Sequence, residues 1–207
     1  MIPLHLRLKK KAHQIIAYAQ DLMMEEVYHF FPEAVLHGGT AIWRCYRGNR
    51  FSEDIDIYLA SKGSVDAFFG KLEQKGFTIL KKRVKENALY SLLEFDRVQV
   101  RFEAVFTRKE NAVIKDYEMV DSNVMAVYTL SPDDLIKEKI AACVKRKKIR
   151  DLYDVFFLLR YVTAAPRDLG RIEGVTIADE ENLPAIILSG PVPTGEDMRR
   201  YIKEWER

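Results

Sequence analysis

The sequence predicts an α/β (α+β) protein: a mixed, largely antiparallel sheet flanked by helices, followed by a small helical C-terminal part. Three observations carry this. Helical periodicity opens the chain over residues 8–31, three runs of alternating apolar and polar residues follow at 77–84, 88–95 and 98–106, and from Ser131 the composition turns helical again.

In order along the chain, the opening helix rests on Ile15, Ile16, Ala19, Leu22, Met23 and Val27, an apolar stripe suited to packing against a sheet. Ala34-Val35-Leu36 is a short apolar strand. Gly38-Gly39 then forms a turn in which backbone amides can come close to a ligand, and Thr40 begins a helix. Residues 55–59 are β-branched and aromatic, so they form a strand; alternation puts Asp54 and Asp56 on one side and turns Ile55 and Ile57 to the core. Residues 64–74 read as a helix with a serine cap, closed by Gly76. The three alternating runs, joined by short polar turns, form an antiparallel meander, and residues 119–130 supply one more short strand. Pro132 at the first helical position, with Asp133 and Asp134 in the first turn, starts a helix that is followed by a second over 148–161. Beyond Tyr161, Pro166, Pro184, Pro191 and Pro193 break regular structure before an amphipathic helix over 196–206. The change of composition divides the chain into a core, 1–130, and a helical C-terminal subdomain, 131–207.

Composition narrows the function without deciding it. A chain of 207 residues with 48% apolar content can bury a sizeable core, and a formal charge of +2 with 31% charged residues gives no strong overall field. No apolar run approaches a membrane span and the N-terminus lacks a secretory pattern, so a cytoplasmic protein is expected. Cys45 and Cys143 are too few for a disulfide framework or a zinc site and are expected as reduced, buried thiols. His5, His13 and His29 carry no metal spacing, and His37 is expected to pack at its strand end.

The chemistry concentrates at Asp54 and Asp56. Two adjacent carboxylates on one strand face repel each other unless a cation lies between them, and hard oxygen ligands suit Mg²⁺ or Mn²⁺. The glycine turn before a helix N-terminus suits a phosphate. Together they imply nucleotide chemistry. A third acid is sought on the run at 98–106, where Val98, Val100, Phe102 and Ala104 share one face and Gln99, Arg101 and Glu103 the other. Glu103 completes a three-carboxylate site if that strand neighbours the aspartates; Glu94 and Asp96 are its rivals.

The run Gly38-Gly39-Thr40, a short helix, then Arg50, Ser52, Glu53 and Asp54-Ile55-Asp56 resembles the signature of the DNA polymerase β nucleotidyltransferase superfamily, in particular its AbiEii/AbiGii-type toxin branch. Downstream, Pro132…Leu135…Glu138-Lys139…Ala142 and Arg150-Asp151…Asp154 resemble the later motifs of that branch. The resemblance implies a nucleotidyltransferase fold and transfer of an NMP from an NTP onto a hydroxyl of RNA, including tRNA, or protein, by a toxin with a cognate antitoxin. It also implies metal ligands Asp54, Asp56 and Glu103, with Gly38, Gly39, Thr40, Arg50, Ser52 and Lys139 around the nucleotide. Lys139 matches the motif lysine near the phosphates. Asp154, with Asp151, either orders that lysine or helps deprotonate the acceptor.

Blander readings stand beside these. Arg50 and Ser52 could serve only their own loop's hydrogen bonds, Lys139 could be a helix-surface cation, and Arg150, Asp151 and Asp154 could form a structural ion-pair set. Two basic runs, Lys81-Lys82-Arg83 with Lys85 and Lys145-Arg146-Lys147-Lys148 with Arg150, could follow a phosphate backbone if they face one cleft. The competing function is a non-catalytic nucleotide-binding regulatory or partner-dependent module. Transfer onto a small molecule such as an aminoglycoside is a third; it predicts an acidic cleft beyond the metal site.

Overall fold

The computed structural model describes residues 4–205. Helices α1 (Leu4–Arg7) and α2 (Lys11–Phe30) lead into β1 (Val35–His37), α3 (Gly38–Cys45) and β2 (Ile55–Leu59). Helix α4 (Val65–Gln74) precedes β3 (Thr78–Val84), β4 (Ala88–Phe95), β5 (Val98–Phe106), β6 (Val113–Glu118) and β7 (Val124–Thr129). Helices α5 (Pro132–Arg146) and α6 (Ile149–Leu158) follow, and after several short helical turns the chain ends in α7 (Leu183–Ile186) and α8 (Gly195–Glu204).

All seven strands join one sheet in the order β3-β4-β5-β2-β1-β7-β6. The β2–β5 and β1–β7 pairs are parallel and the others antiparallel, so the sheet is mixed and largely antiparallel, as the sequence predicts. One face carries Ile55, Ile57, Leu89, Leu93, Phe102 and Ala104, all buried, against α2 and α4; the rings of Phe68 on α4 and Phe102 lie 4.9 Å apart. Ile16, Ala19, Met23 and Val27 form the buried stripe of α2. Leu135, Ile136 and Ile140 of α5, Leu152 and Val155 of α6 and Met198 of α8 belong to the same continuous core.

Several local expectations change. The strand β6 has no clear sequence signal: its centre is Lys115-Asp116 and only Tyr117 is buried, so pairing with β7 creates it, not alternation. Helix α2 starts at Lys11, although Leu8 remains buried. Helix α3 starts at Gly38, two residues before Thr40. The Ser64 side chain makes no cap hydrogen bond, whereas Ser131 accepts from the Asp134 amide with Pro132 in the first turn of α5. Cys143 is buried, and burial pushes its thiol up to about 11; Cys45 is only half-buried. The last helix ends at Glu204, and Glu206 lies outside the described residues. No described helix is long and apolar enough to cross a membrane.

Candidate active site

Pairing across the sheet gathers the acids. Asp56 lies opposite Glu103 on β5 and opposite His37 on β1, so the three side chains stand in one row on one face; Asp54 precedes Asp56 on that same side. Of the rivals for the third acid, Glu94 pairs with Gln99 at the far end of the hairpin and Asp96 occupies its turn with φ +47°. Burial, with the neighbouring Asp54 charge, pushes the Asp56 carboxyl above the usual range, against the pull of His37, Lys139 and Arg146. Burial and the charges of Asp56 and Asp54 raise Glu103 as well.

These acids are neighbours without yet being a grip. Among the described residues no three His, Cys, Asp or Glu side chains converge to hold an ion, and the Asp54 carboxylate accepts a hydrogen bond from Arg101 Nε at 2.7 Å. The donor set nonetheless fits a hard divalent cation, because three oxygen donors share one face and repel one another.

The glycine turn closes over the same spot. Gly38 has φ +72°, and a Cβ on it would overlap Asp56 Oδ2; a Cβ on Gly39 would sit 2.5 Å from both Arg50 Nη2 and Ser52 Oγ. Only glycines let the start of α3 come this near the aspartate strand. The first amides of α3 have no intrahelical partner, the ordinary state of a helix N-terminus. The Thr40 hydroxyl donates to the Asp54 carbonyl, and Gln20 Nε2 donates to the Ser52 carbonyl at 2.9 Å.

A second cluster forms the adjoining wall. Arg50 Nε and Nη2 donate to the two Asp154 oxygens at 2.8 Å each, and Lys139 Nζ reaches Asp154 Oδ2 at 2.7 Å. Lys139 also lies 3.7 Å from Asp151, which accepts from Arg146 Nε and Nη2 at 3.1 and 2.7 Å. Arg50, Lys139, Asp151 and Asp154 are 6%, 7%, 0% and 1% exposed, so this is a buried network. Burial alone would raise Asp154, but the Arg50 and Lys139 charges outweigh it and hold the carboxyl below the usual range. The partner of Asp154 is Arg50, not Arg150 on its own helix. The loop carrying Arg50 is zipped to the C-terminal segment: Phe51 N donates to Ile186 O at 2.8 Å and Leu188 N to Asn49 O at 2.9 Å. The third Arg50 nitrogen donates to Phe51 O at 2.9 Å, so each guanidinium nitrogen is held within the protein while one N–H on each of Nη1 and Nη2 is left over.

Four further side chains border the acids. His37 Nδ1 lies 3.1 Å from Glu138 Oε2, Tyr58 OH donates to Glu138 Oε1, and the His37 and Tyr58 rings stack at 4.0 Å. Tyr58 shares strand parity with Asp54 and Asp56, and Arg101 shares it with Glu103; that parity was the available signal. Glu138 had only its place beside Lys139, and His37 only its place before the glycines. Of the two basic runs, Arg146 acts on the charges of Asp56 and Glu103, whereas Lys148 turns away to Asp179 at 3.4 Å.

Two solved structures share this architecture. JHP933 from Helicobacter pylori superposes with a TM-score of 0.64 at 16% identity, over 95% of this chain and 94% of that one. MenT4, a nucleotidyltransferase toxin from Mycobacterium tuberculosis H37Rv, gives 0.60 at 15% identity, over 94% and 82%. At such identities the likeness is one of fold. No curated protein matches the sequence. The family described as nucleotidyl transferase AbiEii toxin, type IV TA system, matches residues 22–197, nearly the whole chain and every motif above. The chain belongs to the AbiEii nucleotidyl transferase toxin family of type IV toxin–antitoxin systems.

Proposed function

We propose that this protein transfers an NMP from an NTP onto a hydroxyl of RNA, tRNA included, or of a protein, using Mg²⁺ or Mn²⁺, and that an antitoxin restrains it. The observation that carries the reading is the row Asp56–Glu103 beside Asp54, directly beneath a glycine turn that opens a helix. Asp54 and Asp56 would hold the divalent metal, with Glu103 on the side of the attacking hydroxyl. When bound, the metal lowers the pKa of the attacking hydroxyl and neutralises charge on the triphosphate and the departing pyrophosphate. The amides at Gly38, Gly39 and Thr40, with Ser52, hold phosphate oxygens at the α3 N-terminus. Lys139 supplies a cation beside Asp56, and Asp154 fixes it there. Arg50 clamps Asp154 through Nε and Nη2, and its two remaining N–H groups can meet a phosphate oxygen. In the reaction the acceptor oxygen bonds to the α-phosphorus, the bond to the β-phosphate oxygen breaks, pyrophosphate leaves and the hydroxyl proton passes to solvent. Arg101 holds only the Oδ1 oxygen of Asp54, and an ion that took both oxygens would displace it.

The test is incubation with each α-labelled NTP, Mg²⁺ and total RNA, followed by separation of RNA from protein, for the wild type and Asp54→Ala/Asp56→Ala. Label in RNA or protein that needs both aspartates is the expected result, with loss in the variant of about a thousandfold or more. NTP binding without transfer would identify the non-catalytic module instead.

A further inference from the structure

The sheet face that carries the acids continues, uncovered, across β5, β4 and β3. Register puts Glu103, Tyr90 and Arg83 in one row, and Arg101, Leu92 and Lys81 in the next. Tyr90 is 44% exposed although it stands mid-strand beside Glu103, and Lys85 Nζ lies 5.5 Å from its ring centre. A cleft of about 490 Å³ joins these residues to the site, with Asp54, Lys81, Tyr90, Leu92, Arg101 and Glu103 in its lining. The charges along β3 alternate in use. Lys82, on the opposite face, is tied to Asp66 at 2.7 Å and lies over the Phe69 ring. Among the described residues, Lys81, Arg83 and Lys85 have no carboxylate partner.

We infer that this uncovered face seats a single-stranded RNA acceptor, with Tyr90 stacking a base near the 3′ end and Lys81, Arg83 and Lys85 following the phosphates. The inference rests on the transferase reading above and names its acceptor. Neighbouring strands are about 4.8 Å apart, so Tyr90 stands one strand from Glu103 and two from Asp56, within reach of a terminal nucleotide. An exposed aromatic beside unpaired cations is the pattern that grips single strands without reading sequence. Edge lysines also discourage sheet-to-sheet pairing, but cations on either face would do that; the unpaired ones lie on the acids' side. Val105, 41% exposed, and Leu92 share this face with Tyr90, but Lys81, Arg83 and Lys85, without a carboxylate partner among the described residues, stand beside them, which favours a phosphate chain over an apolar protein segment. Arg146 borders the acids from the α5 side, where it acts on the Glu103 and Asp56 charges.

The experiment is anisotropy of a fluorescent single-stranded oligoribonucleotide with a free 3′-hydroxyl, titrated with the full chain at several salt concentrations, with NTP binding and NMP transfer measured on the same samples. Tyr90→Ala is expected to weaken RNA binding about tenfold or more while Tyr90→Phe retains it. Lys81→Gln and Arg83→Gln should each reduce the slope of log K against log salt by roughly 0.7, and Lys82→Gln should leave it unchanged. NTP binding should be the same in all five variants. RNA affinity indifferent to Tyr90, Lys81 and Arg83 would overturn the inference, as would a wild type that labels protein and binds no RNA. Tyr90-dependent RNA binding without any transfer would leave this surface standing and remove the transferase reading, so the two can fail separately.

Discussion

Two groups of carboxylates lie side by side in this molecule, and their electrostatics run in opposite directions. Asp154 is buried yet held below its ordinary pKa by Arg50 and Lys139. Asp56 is pushed above its ordinary value by burial with Asp54 adding to it, and Glu103 by burial and the charges of Asp56 and Asp54. The first group is complete within the chain. The second is short of positive charge, and Arg101 on Asp54 relieves only part of it. The difference separates carboxylates balanced by cations of the chain itself from carboxylates whose charge the chain leaves largely uncompensated.

Removing one carboxylate from each group should break that symmetry most plainly. Asp154→Asn strands Arg50 and Lys139 without their counter-charge and is expected to cost about 3–5 kcal/mol in urea unfolding. Asp56→Asn relieves repulsion and should leave stability unchanged or raised, on the order of 1 kcal/mol. Equal losses from both would erase the distinction.

Next in size is the response to metal. Millimolar Mg²⁺ should raise the thermal midpoint of the wild type, with about 2.7 kcal/mol available at a hundredfold excess over Kd, and leave Asp54→Ala/Asp56→Ala unmoved. An equal shift in both proteins would place the ion elsewhere.

The smallest effect, and the sharpest in sign, is in pH. A carboxyl with a depressed folded pKa contributes stability above its unfolded pKa, near 3.9, and that stability is lost as pH falls through the folded value. The deficit of Asp154→Asn should therefore be full at neutral pH and shrink only below the ordinary carboxylate range. For a raised carboxyl the sign reverses: ionised Asp56 opposes folding at neutral pH, and the opposition fades as pH falls through its raised value. Any advantage of Asp56→Asn over the metal-free wild type should thus disappear at a higher pH than the Asp154→Asn deficit does. Denaturant midpoints measured from neutral to acid pH decide this, and the reverse order would contradict the assignment.

How much of this was legible in the sequence follows from how far each interaction reaches. Parity along β2 and β5 is local, so the shared side of Asp54 and Asp56, and the polar side of Glu103, could be read from alternation alone. That Glu103 stands beside Asp56 depends on a parallel pairing between strands separated by a helix and two other strands, which alternation does not specify. The expectation that Arg150 belongs with Asp151 and Asp154 came from helical spacing, and a side chain 104 residues upstream displaced it. His37 read as a packing residue because nothing near it in sequence reveals that Glu138 and Tyr58 will meet it. The strand β6 was missed for a related reason: it sits at the sheet edge, where one buried side chain leaves no periodic trace.

The zipper between residues 49–51 and 186–188 has a consequence for how the protein is made. The clamp on Arg50 needs Asp154, and the loop that presents it needs Ile186 and Leu188. During synthesis both arrive long after the aspartates have left the ribosome. The wall beside the acids therefore takes its final form only once residues near 188 have emerged, so its assembly trails the synthesis of the aspartate strand by more than a hundred residues.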